Sequence, residues 1–125
     1  MIFDNDVARM AIDRLPMLFV DGAAPGTILW HNAAAERLFG YTEYNELRDM
    51  CVDLLVPETV RERHPANRAR LTTDPKGELM AGGKPLVARR KDGSSLPVNI
   101  WLVRGSLSGT RGVLAVIFDM SSRVL

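Results

Sequence analysis

The sequence predicts an α+β domain built on five antiparallel strands, with short helices covering one face of the sheet. Two observations carry that prediction. In the C-terminal third, the apolar spacing changes from a period near 3.6 residues to a period of two, around a Lys91-Asp92-Gly93-Ser94 turn that signals a hairpin. Ahead of it, two short apolar runs are followed by several helical stretches. The order strands, helices, strands is that of an α+β domain. With 125 residues, 46% of them hydrophobic, the chain fits one domain with a real core.

Taken in order, "DNDVARMAIDRL" (4–15) places Val7, Ala11 and Leu15 on one helical stripe, with Phe3 before it and Met10 beside it. Asp4 or Asn5 caps this amphipathic helix and Pro16 closes it. Residues 1–15 are therefore read as a flanking helix and 16–125 as the domain proper. "PMLFVDG" and "GTILWHN" (26–32) read as two strands joined through Pro25-Gly26. Asn32 is a suitable N-cap for "NAAAERLFG", whose inner face is Ala34, Ala35, Leu38 and Phe39 and whose end is Gly40. Further helical turns are expected over 42–47 and 50–57, then a longer helix over roughly 58–71. Past the loop "TTDPKGELMAGG" come the two hairpin strands. In the second, Leu96, Val98, Ile100 and Leu102 point one way and Asn99 and Trp101 the other. A last hairpin through "SLSGTRG" leads into "VLAVIFDMS".

Charge and chemistry exclude several classes. Sixteen basic against fifteen acidic residues leave no global field toward nucleic acid or anionic lipid. The basic residues Arg61, Arg63, Arg68, Arg70, Arg89, Arg90 and Lys91 come without a recognition-helix or stacking-aromatic pattern, so they read as solvated faces. The longest apolar run, "VLAVIF" (113–118), is too short to span a bilayer, and the N-terminus has no signal-peptide pattern. Cys51, the single cysteine, sits in "MCVDLLV" as a buried structural thiol rather than a nucleophile. "AGGK" (81–84) is not a phosphate loop, and Asp92 and Asp119 belong to a turn and a strand end. No catalytic set assembles, so the chain is read as a non-enzymatic, cytoplasmic domain without nucleic-acid or membrane contact. It is equally compatible with being one piece of a longer, even membrane-bound, protein.

Four segments, "ILWHNAAAERLFGYT" (28–42), "LLVPE" (54–58), "RRKDGSSLPVNI" (89–100) and "VIFDMSSR" (116–123), stand in the order and spacing of the PAS domain family. The sequence thus resembles a sensory-box PAS domain, as found in bacterial sensor histidine kinases. That resemblance implies a small pocket between sheet and helices, with Leu38, Leu55, Leu71, Leu79, Met80, Val98, Ile100, Leu102, Val113 and Ala115 as candidate lining. It also implies a Glu36–Lys91 pair, an exit for the signal near Asp119, and an effector domain, such as a histidine kinase or a cyclase, elsewhere in the parent chain. Phe3, Val7, Met10 and Ala11 are the candidate contacts of a homodimer.

The stretch "RERHPANRAR" (61–70) opens an alternative. In haem-binding PAS domains the proximal histidine lies on this helix, and His64 resembles it. The corresponding distal arginine is here Lys84, a point charge rather than a planar fork, and Pro65 removes a backbone donor beside the histidine. The expectation is a sensor for a small ligand with no cofactor, and the alternative is a haem-binding gas or redox sensor with His64 on the iron. His31, just before a helix cap, reads as a surface or edge-strand residue.

Overall fold

Alternating burial along each strand sets the architecture, because successive side chains of a strand face opposite sides of the sheet. The computed structural model describes residues 14–23, 25–55, 78–79 and 86–121. They form β1 (Met17–Asp21), β2 (Ile28–His31), α1 (Ala33–Phe39), a 3-10 turn (Val52–Leu55), β3 (Glu78–Leu79), β4 (Leu86–Arg89), β5 (Ser95–Leu107) and β6 (Thr110–Asp119). Across the sheet the order is β2-β1-β6-β5, with every pairing antiparallel. The fifth position is shared, since β4 pairs with Ser95 to Val98 of β5 and β3 pairs with its Trp101 and Leu102. The expected five positions are present, and the outermost is split in two. The short β3 lies in "GELM", a stretch the sequence places in a loop, because two residues are too few to show a period of two.

One face carries the main core. Leu96, Val98, Ile100 and Leu102 of β5 meet Val113, Ala115 and Ile117 of β6, Leu18 and Val20 of β1, and Phe39 of α1. Asn99 and Trp101 point to the other face, as the alternation predicts, alongside a smaller cluster of Met17, Phe19 and Leu114. The edge of this outer face stays open at Val87, Trp101 and Phe118.

Helix α1 begins and ends where its composition dictates. Asn32 has extended backbone and accepts from the Ala35 N–H, and Gly40 ends the helix at φ 81° with its N–H bonded to the Glu36 carbonyl. The region 41–50 departs from the expected helical turns: it is a series of bends in which Asn45 and Asp49 take φ of 54° and 70°. A left-handed residue breaks the helical path, and asparagine and aspartate tolerate that conformation better than most. The expected helix over 58–71 lies outside the described residues, as do the N-terminal candidates Phe3, Val7, Met10 and Ala11.

Candidate functional site

The inner face of the sheet brings most of the candidate pocket residues together. Leu55, Val98, Ile100, Leu102, Val113 and Ala115 belong to one buried cluster, with Leu38 packed against it. Their coverage is uneven. Leu96, Val98 and Ile117 are sealed, whereas Ile100 at 7%, Leu102 at 6% and Ala115 at 6% keep some exposure. Leu102 and Ala115 are direct partners across β5 and β6, and Ile100 lies on the same face two residues along β5. Leu79 lies in β3 beside Trp101, while Leu71, Met80, His64 and Lys84 are outside the described residues.

The β4–β5 turn acts on the helix rather than on solvent. The N–H of Lys91 donates to the Phe39 carbonyl at 2.9 Å, and Arg90 Nε donates to the Leu38 carbonyl at 3.3 Å. A helix leaves its last carbonyls without internal donors, and here the turn supplies two. Arg90 also donates to Ser94 Oγ and the Ser95 carbonyl, each at 3.3 Å, so it is not the solvated charge expected from composition. The turn itself is held by Gly93 at φ 87° and by Asp92, whose Oδ1 accepts from the Ser94 N–H. Bonds from Ser94 hold the Asp92 carboxyl below the ordinary aspartate range.

The implied Glu36–Lys91 pair is replaced by two others. Lys91 pairs with Glu46 and stands 5.9 Å from the centre of the Tyr41 ring, while Glu36 Oε2 lies 2.9 Å from Nδ1 of His31. The reason is directional. Side chains on a helix lean toward its N-terminus, so Glu36 reaches back to β2, whereas Lys91 sits at the far end beside Phe39. The bond to Glu46 raises the Lys91 pKa above its ordinary value. That pair is solvent-facing and serves position more than stability.

His31 stands on the edge strand β2, as expected, and its side chain is only 6% exposed, opposite Leu18. The Nδ1 atom is close to Glu36 yet off the line of a good hydrogen bond, which leaves it a buried nitrogen with unused capacity. Beside it opens a cleft of about 550 Å³ along the β2 edge. Nothing in "WHN" distinguishes such a histidine from an exposed one, because its surroundings come from residues far along the chain. Cys51 is half-buried with Sγ donating to the Pro25 carbonyl at 3.1 Å, a structural contact.

At the end of β6, Oδ1 of Asp119 accepts from Ser121 N–H at 2.8 Å and from Ser121 Oγ at 2.6 Å. The hydroxyl bond, foremost, holds the Asp119 pKa below 3.8. A depressed folded-state pKa contributes stability that is complete above the unfolded value and is lost as pH falls through the folded value. Stability is therefore expected to drop below about pH 4, and Asp119→Ala to flatten part of that drop. Urea midpoints of both proteins across the acid limb check this; parallel curves would show that the turn contributes nothing.

Comparisons with known proteins agree with this architecture. The chain superposes on a PAS domain of an HTR-like protein from Haloarcula marismortui with a TM-score of 0.73, at 19% identity and covering 91% of each chain. It superposes on a PAS domain from Desulfitobacterium hafniense with a TM-score of 0.70, at 23% identity over 86% of this chain and 93% of the other. The chain is a PAS domain. In sequence it is similar to the sensor protein FixL of Bradyrhizobium diazoefficiens, 35% identical over 86 residues, which is 67% of this chain and 16% of that protein. No family model matches the chain. Among the described residues no helix is long and apolar enough to cross a membrane.

Proposed function

We propose that this domain is the input module of a signal-transduction protein and takes a small apolar molecule against the inner face of its sheet. The observation that carries the reading is the contiguous apolar inner face of β5 and β6 around Ile100, Leu102 and Ala115, within a PAS fold. A molecule seated there presses on β5 and β6 together, and β6 runs directly to the Asp119–Ser121 turn. Occupancy then biases how the chain leaves the sheet, which a following effector domain, such as a histidine kinase, reads as a change of state. The similarity to a sensor protein supports this role. Homodimerisation belongs to the same proposal, with Val87, Trp101 and Phe118 as the open apolar surface available to a second copy.

Titration with small apolar fragments, followed by NMR, tests the site. At least one fragment is expected to shift the resonances of Ile100, Leu102 and Ala115, and Ala115→Leu, which adds bulk beside Leu102, is expected to abolish those shifts. Shifts confined to other surfaces would reject the inner-face site. Haemin belongs in the same set, because the sequence position of His64 offers an axial ligand. A Soret band that disappears in His64→Ala would favour the haem reading; no band would remove it.

A further inference from the structure

The cleft beside β2 is separate from the inner face and has a different chemistry. One wall is apolar, made of Leu29 and Trp30 of β2 with Leu107 from the end of β5. The same lining carries charges of both signs, from Glu36 on α1 and from Arg48 and Asp49 in the bend region, together with Asn45. Arg48 is exposed, and among the described residues it has no ion-pair partner. Glu36 Oε2 lies 2.9 Å from Nδ1 of the buried His31 ring, without an aligned bond. Among the described residues, the non-glycine residues with φ between 50° and 70° are Asn45, Asp49 and Ser108, and all border this cleft.

The charge pattern selects the ligand class. An anion would meet the carboxylates of Glu36 and Asp49, and an organic cation would meet Arg48. A wholly apolar molecule would strip water from all three. Among the described residues no group of three or more histidine, cysteine or acidic side chains is arranged to hold a metal ion. A molecule carrying an ammonium and a carboxylate close together, with a short apolar side group, satisfies both signs at once and lays that group on Trp30. We infer that this cleft is a second ligand site, for a small zwitterion of the α-amino-acid type. Its volume of about 550 Å³ is ample for such a molecule. The inference stands independently of the inner-face proposal, since the two surfaces share no residue.

Titration of the full chain with L-leucine tests it, using isoamylammonium and isocaproate as single-charge controls and NMR of the Trp30 and Arg48 side chains as the readout. L-leucine is expected to shift both signals saturably and to bind at least about tenfold more tightly than either control. Arg48→Gln and Asp49→Asn, both exposed and expected to fold normally, are each expected to weaken binding by about tenfold. Equal binding of all three compounds, no saturable shift with L-leucine, or unchanged affinity in both variants would overturn the assignment.

Discussion

Asn32→Ala is expected to lower the stability of this domain by about 3 kcal/mol, an unusually large loss for a polar residue at a helix start. Asn32 does more than cap α1. Its Oδ1 accepts from the Ala35 N–H and also from the buried Met17 N–H, each at 3.0 Å, while Nδ2 donates to the Leu15 carbonyl at 2.6 Å. One side chain therefore ties the first turn of the helix to the entry of β1. Alanine removes the cap, worth about 1 kcal/mol, and strands a buried backbone donor at a further cost of about 1–3 kcal/mol. Asn32→Ser separates the two roles, because a hydroxyl caps the helix but lacks the reach to accept from Met17 N–H and the amide group to donate to the Leu15 carbonyl. Denaturant midpoints should rank wild type above serine and serine above alanine. Serine equal to wild type would show that the tie to β1 contributes nothing.

Gly112→Ala is expected to cost about 3 kcal/mol or more, lowering Tm by roughly 10 °C, while Gly105→Ala leaves stability nearly unchanged. These two glycines face each other across β5 and β6, yet their surroundings differ. A Cβ at Gly112 collides with the Val20 carbonyl oxygen and lies 2.8 Å from two ring carbons of Phe19; a Cβ at Gly105 meets nothing within 4 Å. The Phe19 ring can turn, but the Val20 carbonyl belongs to the β1–β6 ladder and cannot move without breaking pairing. Truncating Phe19 should consequently fail to rescue Gly112→Ala. Thermal melts of the two alanine variants settle the contrast, and equal melting temperatures would contradict this packing.

The same residues show what a sequence can and cannot disclose. The Asn32 cap and the Lys91-to-Ser94 turn are local signals and were legible, as was the inward set from Leu96 to Leu102. The second half of Asn32's role depends on Met17, fifteen residues away, and no local pattern reports it. Gly112 sits in "TRGV", where a glycine reads as part of a turn; its need comes from β1, paired from ninety residues earlier in the chain. Arg90 reads as surface charge in the sequence, because the carbonyl it serves at the end of α1 lies fifty-two residues earlier in the chain. Much of the candidate pocket was legible because alternation along β5 and β6 assigns the inner face directly. The charged cleft was not, since it joins β2, α1, a bend and a distant hairpin.

The most direct test of the input-module account is mass spectrometry of the protein purified under native conditions, comparing what is released on denaturation with what the folded chain carries. The account predicts one small apolar molecule bound per chain, absent from Ala115→Leu prepared in the same way. A folded wild-type chain that carries nothing, and binds none of the apolar fragments at Ile100, Leu102 and Ala115, would contradict it.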